Sequence, residues 1–429
     1  MATAETAPGT NQRHAPSRPA PLTGRRIRVA VIGTGAIARD SHLPALAGLA
    51  GEGETEIVAA VDIAAESAED FCTTAAATVA AAATATGTGA GAVAATGTVS
   101  AAEVPRPYTD LDVMLQEQRP DLVVICTPPT LHRDQTVAAL RAGAWVWCEK
   151  PPVPSLADFD AVEAEEGEDG GPYASIVFQH RFGSGTRHVR RLLTEQAMGR
   201  PLVAHCQTTW YRDTAYYAVP WRGRWQTEGG GPAMGHGIHQ MDLLLDLLGP
   251  WSEVRAMAGR LVHDVETEDV STALVRFANG AMATVVNSVL SPDEVSRIRV
   301  DCERATVELT HLYGHRNDNW RITPARGVPD AEAAAWQDFG ADRPSSHLEQ
   351  LRELVASMRA GERPRSSGAD GRTSLELIAA LYKSAFTDAT VRAGEIGPGD
   401  PFYSAMHGGA PGWAPVMGEP SVPGEEAAA

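Results

Sequence analysis

The stretch IRVAVIGTGAIA, residues 27–38, directs how the first part of this 429-residue chain folds. Its first six residues form a nearly continuous apolar run, which is typical of a strand buried on both faces of a parallel sheet. A glycine-rich turn of the form GxGxxA follows at once, and a helix is predicted to continue through Leu43–Leu49. Strand, glycine-rich turn and helix in this order predict the first unit of a dinucleotide-binding α/β fold.

Each position of the turn has a physical role in binding a pyrophosphate. Gly33 permits the tight turn, Gly35 lets the backbone approach the phosphates, and the small Ala38 side chain lets the helix pack closely. The free N–H groups and the positive dipole end of the helix then face the anion. We therefore predict cofactor contacts from Gly33, Gly35, Ala36 and Ile37.

A carboxylate ends the second predicted strand. This strand covers Glu56–Val61, and Asp62 follows it, 24 residues after Ala38. A carboxylate here can accept hydrogen bonds from both hydroxyls of the adenosine ribose, and it repels a 2′-phosphate. No arginine follows within the next few residues, so the sequence favours NAD over NADP as the cofactor.

Two more buried strands are predicted at 122–126 and 145–148, with a helix between them. In open parallel sheets, ligands bind beyond the carboxyl ends of the strands. We therefore assign to the cofactor site four residues at or after these strand ends: Thr127, Pro128, His132 and Glu149.

Lys150 follows the last of these strands. The chain has 36 Lys plus Arg residues, and only Lys150 and Lys383 are lysines. Unlike arginine, a buried lysine can give up its proton. The position at a strand end and the residue type together predict that Lys150 faces the cofactor and takes part in catalysis.

The second half of the chain has a different pattern, in which strand-like segments follow one another. Asn279-Gly280 is a strong hairpin signal, and successive hairpins predict an antiparallel sheet in an α+β domain. The predicted strands cover 202–211, 253–262, 270–277, 281–289, 296–301 and 305–309, and closing helices are predicted at Ser346–Ala360 and Ser374–Arg392. The predicted domains are 25–151 for the cofactor and 152–394 for the substrate.

Three segments fall outside this pattern. The compositions of residues 1–24 and 395–429, rich in small residues and proline, predict disordered tails. Residues 72–104 are of low complexity, and we predict a surface insertion that is helical in its alanine-rich half and loose in its Gly/Thr-rich half.

A second group of polar residues follows Gly229-Gly230-Gly231, on a predicted helix that ends at Gly249. His236, His239 and Asp242 are spaced by three residues, so they can share one stripe of that helix. A polar stripe at a glycine-rich helix start suits a substrate site. The spacing is not HExxH and no cysteine is near, so we predict no metal.

Bulk composition excludes several classes of partner. The formal net charge of −18 argues against nucleic-acid and anionic-membrane binding. Five cysteines without CxxC spacing fit a reducing compartment, and no segment is apolar enough to span a membrane. We expect a cytoplasmic protein with a small-molecule substrate.

Four motifs together resemble the Gfo/Idh/MocA oxidoreductase family: GTGAIA at 33–38, CTPPTLH at 126–132, EKP at 149–151, and GGG…GIHQMD within 229–242. The resemblance implies a Rossmann domain followed by an α+β domain with an open, mostly antiparallel sheet. It also implies an NAD(P)-dependent dehydrogenase that transfers a hydride between nicotinamide and a carbinol carbon of a sugar, cyclitol or related polyol. By analogy at the level of the fold, an exposed face of the second sheet would form a homo-oligomer.

The resemblance also implies roles for single residues. Lys150 matches a lysine near the nicotinamide and the reacting oxygen, His239 matches the general acid/base, and Asp242 matches the acid three residues later. Many members carry an aspartate of the proton relay where this chain has Gly235. His236 could substitute for it, or Asp242 could orient His239.

The absent relay acid leaves two other functions open. One is an NAD-using enzyme without net redox change, such as one that cleaves glycosides. The other is a nucleotide-binding sensor without turnover. For a sugar pocket, the candidate walls are aromatic: Trp210, Tyr211, Tyr217, Trp221 and Trp225.

Overall fold

The computed structural model describes residues 22–85, 104–311 and 313–409. Six strands form the first sheet: β1 (Ile27–Ile32), β2 (Thr55–Val61), β3 (Arg106–Tyr108), β4 (Leu122–Ile125), β5 (Trp145–Cys148) and β6 (Ala174–Ile176). The helices of this region are α1 (Leu43–Gly51), α2 (Ala65–Ala85), α3 (Leu111–Gln118), α4 (Pro129–Arg141) and α5 (Leu156–Glu163), and a π-helical turn, Ala38–His42, leads into α1.

All neighbouring strands of this sheet run parallel, in the order β3-β2-β1-β4-β5-β6. Every residue of β4 and β5 is buried, because helices cover both faces of the sheet. The strand order reverses beside β1, and ligands bind at such a switch point beyond the carboxyl ends. The predicted parallel Rossmann sheet is confirmed.

A second sheet contains eight strands: β7 (Pro201–Tyr211), β8 (Trp251–Gly259), β9 (Val270–Phe277), β10 (Met282–Ser288), β11 (Leu290–Cys302), β12 (Ala305–Thr310), β13 (Trp320–Pro324) and β14 (Val391–Arg392). Their order is β13-β12-β11-β7-β10-β9-β8-β14, and only β7 and β10 pair in parallel. Burial alternates along β9, as expected for a strand with one covered face. The predicted open, mostly antiparallel sheet is confirmed.

The remaining helices are α6 (Ser184–Thr194), α7 (Thr214–Tyr217), α8 (Trp225–Glu228), α9 (Ile238–Leu248), α10 (Asp330–Trp336), α11 (His347–Ala360), α12 (Gly368–Thr387) and α13 (Pro401–Ser404). Helices α9 and α12 cover one face of the second sheet and pack into its core. Shorter turns are a π turn at Ala233–Gly237 and 3-10 turns at Gln179–Phe182 and Asn317–Asn319. No helix in the described ranges is both long enough and apolar enough to cross a membrane.

The domain boundary predicted after residue 151 is wrong. Strand β6 pairs with β5, so the parallel sheet continues to Ile176. Helix α11, far along the chain, also belongs to this domain, because Leu351, Leu354 and Met358 pack into the core formed by β1 and α1. A parallel sheet needs helices on both faces, and the sequence does not show which distant helix supplies one.

Two segments predicted to lie outside the folded core are partly inside it. Residues 72–85 continue helix α2, and Cys72 and Ala75 are buried against α1. The predicted disordered tail starts later than residue 395, because Ile396, Phe402 and Met406 join the core of the second domain. Residues 1–21, 86–103 and 410–429, which contain most of the predicted tails and insertion, lie outside the described residues.

The closing helix predicted at Ser374–Arg392 ends early. Helix α12 ends at Thr387, and Asp388 adopts a left-handed conformation with φ of 50°. Val391 and Arg392 then pair with β8 as an edge strand. Pairing with the sheet overrides the helical spacing, which shows only which residues are apolar and not what they pack against.

Candidate active site

The glycine-rich turn is shaped for close approach. Gly33 has a φ of +80°, and a Cβ built on it would lie 2.9 Å from the backbone carbonyl atoms of Cys126 at the end of β4. Only glycine fits between the two strands. At Gly35 the opposite holds, because a Cβ would meet no protein atom within 4 Å. The start of the helix is therefore open, as a bound pyrophosphate requires.

Asp62 stands beside this turn, just after β2. It accepts hydrogen bonds from the backbone N–H and the hydroxyl of Thr34, both at 2.9 Å, and from Ala64 N–H at 3.0 Å. Burial acts to raise the pKa of this carboxyl, but these hydrogen bonds outweigh it and hold the pKa below its usual value. The residue is thus an ionised, partly exposed acceptor, which fits the ribose hydroxyls of NAD.

Two predicted cofactor residues have supporting contacts instead. His132 is buried, and its ring nitrogens lie 2.7 Å from the Thr127 carbonyl and 2.9 Å from the Pro151 carbonyl, so it joins the ends of β4 and β5. Thr127 itself donates its hydroxyl to Gln135. The exposed Pro128 immediately precedes α4 as its N-cap residue. His132 therefore has no free ring nitrogen for a cofactor.

Glu149 is also buried and supports its neighbours. Its Oε1 lies 2.8 Å from His42 Nε2 and 3.5 Å from His347 Nε2, and its Oε2 accepts from the Lys150 N–H. Burial opposes ionisation, but the two imidazoles outweigh it and hold the pKa of Glu149 well below its usual value. The His42, Glu149 and His347 ligand atoms lie within 4.8 Å of one another, so this trio is where the described residues could hold a metal ion. The two oxygens of Glu149 already have hydrogen-bond partners in His42 and the Lys150 N–H. The absence of a metal stays a prediction.

Lys150 connects the two domains. Its Nζ donates a hydrogen bond of 3.4 Å to the carbonyl of Gly235, in the π turn that precedes α9. Burial lowers the pKa of Lys150, and the charge of Arg222 lowers it further, although Glu149 and Glu228 oppose this. The lysine thus loses its proton more readily than an exposed one does.

His239 lies one turn further along, at the start of α9. Its side chain is buried, and its Nδ1 has no hydrogen-bond partner among the described residues. Burial, and then the charge of Lys150, hold the pKa of His239 well below 6.5. The ring is therefore neutral at neutral pH, which is the state a general base needs.

Asp242 does not face this site. Arg181 binds it with both Nε (2.7 Å) and Nη2 (2.5 Å), and the Ser374 hydroxyl donates to it at 2.7 Å. The carboxylate is fully buried between α9, the 3-10 turn Gln179–Phe182 and α12, and it makes no hydrogen bond to His239. The interpretation that Asp242 orients His239 is therefore wrong. Three residues turn about 300° around a helix, so positions that share a stripe still differ by about 60° in direction.

Gly235 leaves the position of the relay acid open. A Cβ there would meet no protein atom within 4 Å. The neighbouring His236 packs edge-on against Trp210 at 5.0 Å between ring centroids, and burial, with the cations Lys150 and Arg212, lowers its pKa to about 3. His236 therefore stays neutral and does not supply the missing negative charge.

Sequence reasoning missed the residue that fixes the glycine-rich helix start. Glu268 is fully buried and accepts from the N–H groups of Gly231 (2.9 Å) and Ala233 (3.0 Å) and from the Tyr382 hydroxyl (2.9 Å). Burial raises the pKa of this carboxyl to about 7. No local pattern connects residue 268 with the start of α9, so only the fold could identify it.

The aromatic candidates divide into two groups. Trp210 is buried beside His236 and donates to Ser296, whereas the partly buried Trp225 packs on Tyr382 at the edge of the core. Side chains near the site that the sequence analysis passed over are His180, Tyr216, Arg222, Tyr313 and His315. Their sequence neighbourhoods carry no motif, so no signal distinguished them from ordinary core residues.

Two family models match the chain. The oxidoreductase family with an NAD-binding Rossmann fold matches residues 27–174, and the GFO/IDH/MocA C-terminal domain matches residues 186–308. The first match extends into β6, as does the observed parallel sheet. The two matches together span well over half of the chain.

Individual relatives agree with these models. The chain is 27% identical to the D-apiose dehydrogenase of Paraburkholderia graminis over 325 residues, which are 72% of this chain and 82% of the relative. It is 26% identical to the myo-inositol 2-dehydrogenase of Thermotoga maritima over 309 residues, 68% of this chain and 86% of the relative. The structure of the WlbA dehydrogenase from Chromobacterium violaceum, in complex with NADH and UDP-GlcNAcA, aligns with a TM-score of 0.67 at 26% identity and covers 87% of this chain and 97% of that chain. The resemblance seen in the motifs is thus confirmed, and the chain belongs to the Gfo/Idh/MocA family of NAD-binding oxidoreductases.

Proposed function

We propose that the protein is an NAD-dependent dehydrogenase that oxidises a CH–OH group of a sugar, cyclitol or related polyol. The observation that carries this proposal is the meeting of Lys150 and His239 from different domains. Lys150 donates to the turn that leads into α9, and its charge acts on the His239 ring. The named relatives are dehydrogenases of D-apiose and myo-inositol, which supports the substrate class.

The cofactor would be held by the first domain. The open helix start at Gly35–Ile37 would bind the pyrophosphate with backbone N–H groups, and Asp62 would accept from the ribose hydroxyls. Ile37 is 39% exposed at this helix start, as an apolar wall for a ligand would be. When bound, NAD supplies the acceptor for the hydride that leaves the substrate carbon.

His239 would act as the general base. The neutral ring accepts the hydroxyl proton at the nitrogen other than the buried Nδ1. Lys150 would stabilise the negative charge that develops on the substrate oxygen. Burial strengthens that interaction, because the effective dielectric constant in the closed site is lower than in water.

The two lysines allow a matched test. Lys150→Met should lower kcat by about 10²-fold or more, the usual contribution of a positioned acid–base group. Lys383→Met removes the other lysine, which binds Glu395 and Asp400 away from this site, and should leave kcat unchanged. NADH absorbance over a panel of sugars and polyols is the measurement. Equal rates for both variants with the best substrate would contradict the assignment.

The named relatives do not favour the two alternative functions, glycoside cleavage without net redox change and sensing without turnover. The same assay separates them. Steady NADH formation from a free polyol excludes both, because neither alternative yields net reduced cofactor.

We also propose that the protein forms a homo-oligomer through the second sheet. The face opposite α9 and α12 exposes apolar side chains on neighbouring strands, with Met257 at 76%, Leu274 at 63% and Met282 at 53% exposure. Exposed apolar side chains grouped on one face of a sheet are typical of an interface. Light scattering after size exclusion should give more than one chain per particle, and Leu274→Glu should dissociate it. A monomeric wild type at all concentrations would refute the proposal.

A cytoplasmic location is the last part of the proposal. All five cysteines are free in the structure, and four of them are buried, which is typical of a reducing compartment. Fractionation of the native host with an antibody to the protein tests this, and recovery outside the cytoplasmic fraction would refute it.

A further inference from the structure

Three histidine rings form a continuous row beside the proposed site. The rings of His239 and His180 are stacked with centroids 4.8 Å apart, and His180 lies 4.4 Å from His315. The row ends 6.2 Å further on at His311, which is exposed. His180 comes from the turn after β6, and His315 comes from the loop after β12. The row therefore runs from the reacting position to the surface.

Packing alone does not account for the inner part of this row. His180 is 2% exposed, and neither of its ring nitrogens is hydrogen-bonded to any described residue, nor is His239 Nδ1. A buried polar atom without a partner costs about 1–3 kcal/mol. An apolar ring at position 180 would avoid that cost and keep the stack, so the imidazole points to a chemical role.

The proton taken up by His239 also needs a destination. In the described residues no carboxylate hydrogen-bonds to His239, and the turn before it has open space at Gly235. Asp242 is committed to Arg181. On the proposed dehydrogenase function, we propose that His180 and His315 relay the substrate proton from His239 to solvent at His311.

The transfer balances at each ring. His239 receives a proton at one nitrogen and releases one from the other, and His180 and then His315 do the same, so each ring ends neutral. Between neighbouring rings, a water hydrogen-bonded to one nitrogen of each would carry the proton. His180 is a positioning and relay residue in this scheme, because it reaches the substrate only through His239.

The groups facing the row favour a single mobile proton. After burial, the charges of His315 and His239 lower the pKa of His180, and Lys150 and His347 lower it further. Two protons in the row would therefore repel each other, so the row holds at most one at a time. Tyr313 packs against both His180 and His239, but its phenol stays protonated near neutral pH and so does not accept the proton.

Phenylalanine variants separate the relay from packing. His180→Phe and His315→Phe keep an aromatic ring in the stack and remove both nitrogens. Each should lower kcat by about tenfold and raise the solvent deuterium isotope effect, because proton transfer becomes slower than the other steps. His188→Phe is the control, because that ring packs at a tilt against Phe339, with centroids 4.7 Å apart, and has no ring contact with the row. It should leave both quantities unchanged.

A rescue measurement guards against a folding defect. His180→Ala leaves room for a ring, so added imidazole should restore part of kcat, and it should not affect His188→Ala. If His180→Phe does not fold, His315→Phe provides the same test one ring further out. An active wild type whose His180 and His315 variants match the control overturns the relay and leaves the dehydrogenase function standing. A wild type that makes no NADH from any polyol overturns the function on which the relay rests.

Discussion

Replacing Asp242 by asparagine should weaken the fold and leave the chemistry intact. The side chain keeps its volume but loses the charge that Arg181 binds with two nitrogens. Arg181 is 1% exposed, so its guanidinium cannot recover this loss by moving into water. The expected effect is therefore on the free energy of unfolding.

The size of the effect follows from what remains around Arg181. Removing one partner of a buried ion pair costs about 3–5 kcal/mol. Asp370 still binds Nη1 at 2.7 Å, and Asp246 lies 3.8 Å away, so part of the charge stays compensated. We expect a loss near the lower limit, about 3 kcal/mol, or roughly a hundredfold in the folding equilibrium.

Urea denaturation of wild type and Asp242→Asn measures this loss, and kcat is measured where both proteins are folded. Asp134→Asn is the control, because that residue forms an exposed pair with Arg133 at 3.0 Å and should change stability by less than about 1 kcal/mol. Unchanged kcat with reduced stability is the expected result. A large loss of kcat at unchanged stability would refute the reasoning and return Asp242 to the catalytic site.

Gly33→Ala should destabilise the protein by about 1–3 kcal/mol, because φ is +80° and the new Cβ would touch Cys126. Gly35→Ala should fold normally, because its Cβ would meet no protein atom, but should lose the thermal shift on adding NAD, because that Cβ would occupy the space of the pyrophosphate. Normal NAD binding by Gly35→Ala would contradict the open-turn argument. The lowered pKa of His239 keeps its ring neutral at lower pH than a free imidazole. The midpoint of the loss of kcat/KM on acidification should therefore lie below pH 6.5. A midpoint at or above pH 6.5 would contradict the role of His239 as general base. Asp62→Ala should reduce the preference for NAD over NADP in initial rates, and an unchanged preference would assign that role elsewhere.

The first domain was predicted well because the residues that identify it lie close together in the sequence. The strand, the glycine-rich turn and the acid all lie within residues 27–62. The role of each follows from its residue type and its place in that segment. The boundary after residue 151 and the ends of the tails depended on β6, α11 and Phe402 packing against distant elements. Such packing leaves no periodic signal in the sequence.

The candidate site shows the same division. Lys150 and His239 were found from a strand end and a helix motif, and the structure brings them to one place. The helix motif also predicted a site role for Asp242, but in the structure this residue forms a buried ion pair with Arg181. Glu268 and His180 had no signal at all, although Glu268 contacts the turn that leads into α9 and His180 contacts the ring of His239.

By itself, the sequence determined the fold family, the cofactor class and the two residues on which the proposed chemistry rests. The fold family, the cofactor class and these two residues depend on backbone geometry and on residue type at fixed spacing. Both can be read from short stretches of sequence. Only the tertiary structure decided which carboxylates are structural and which imidazoles lie beside the base. Those properties follow from burial and from neighbours distant in sequence, since desolvation and nearby charge set the protonation state of each group.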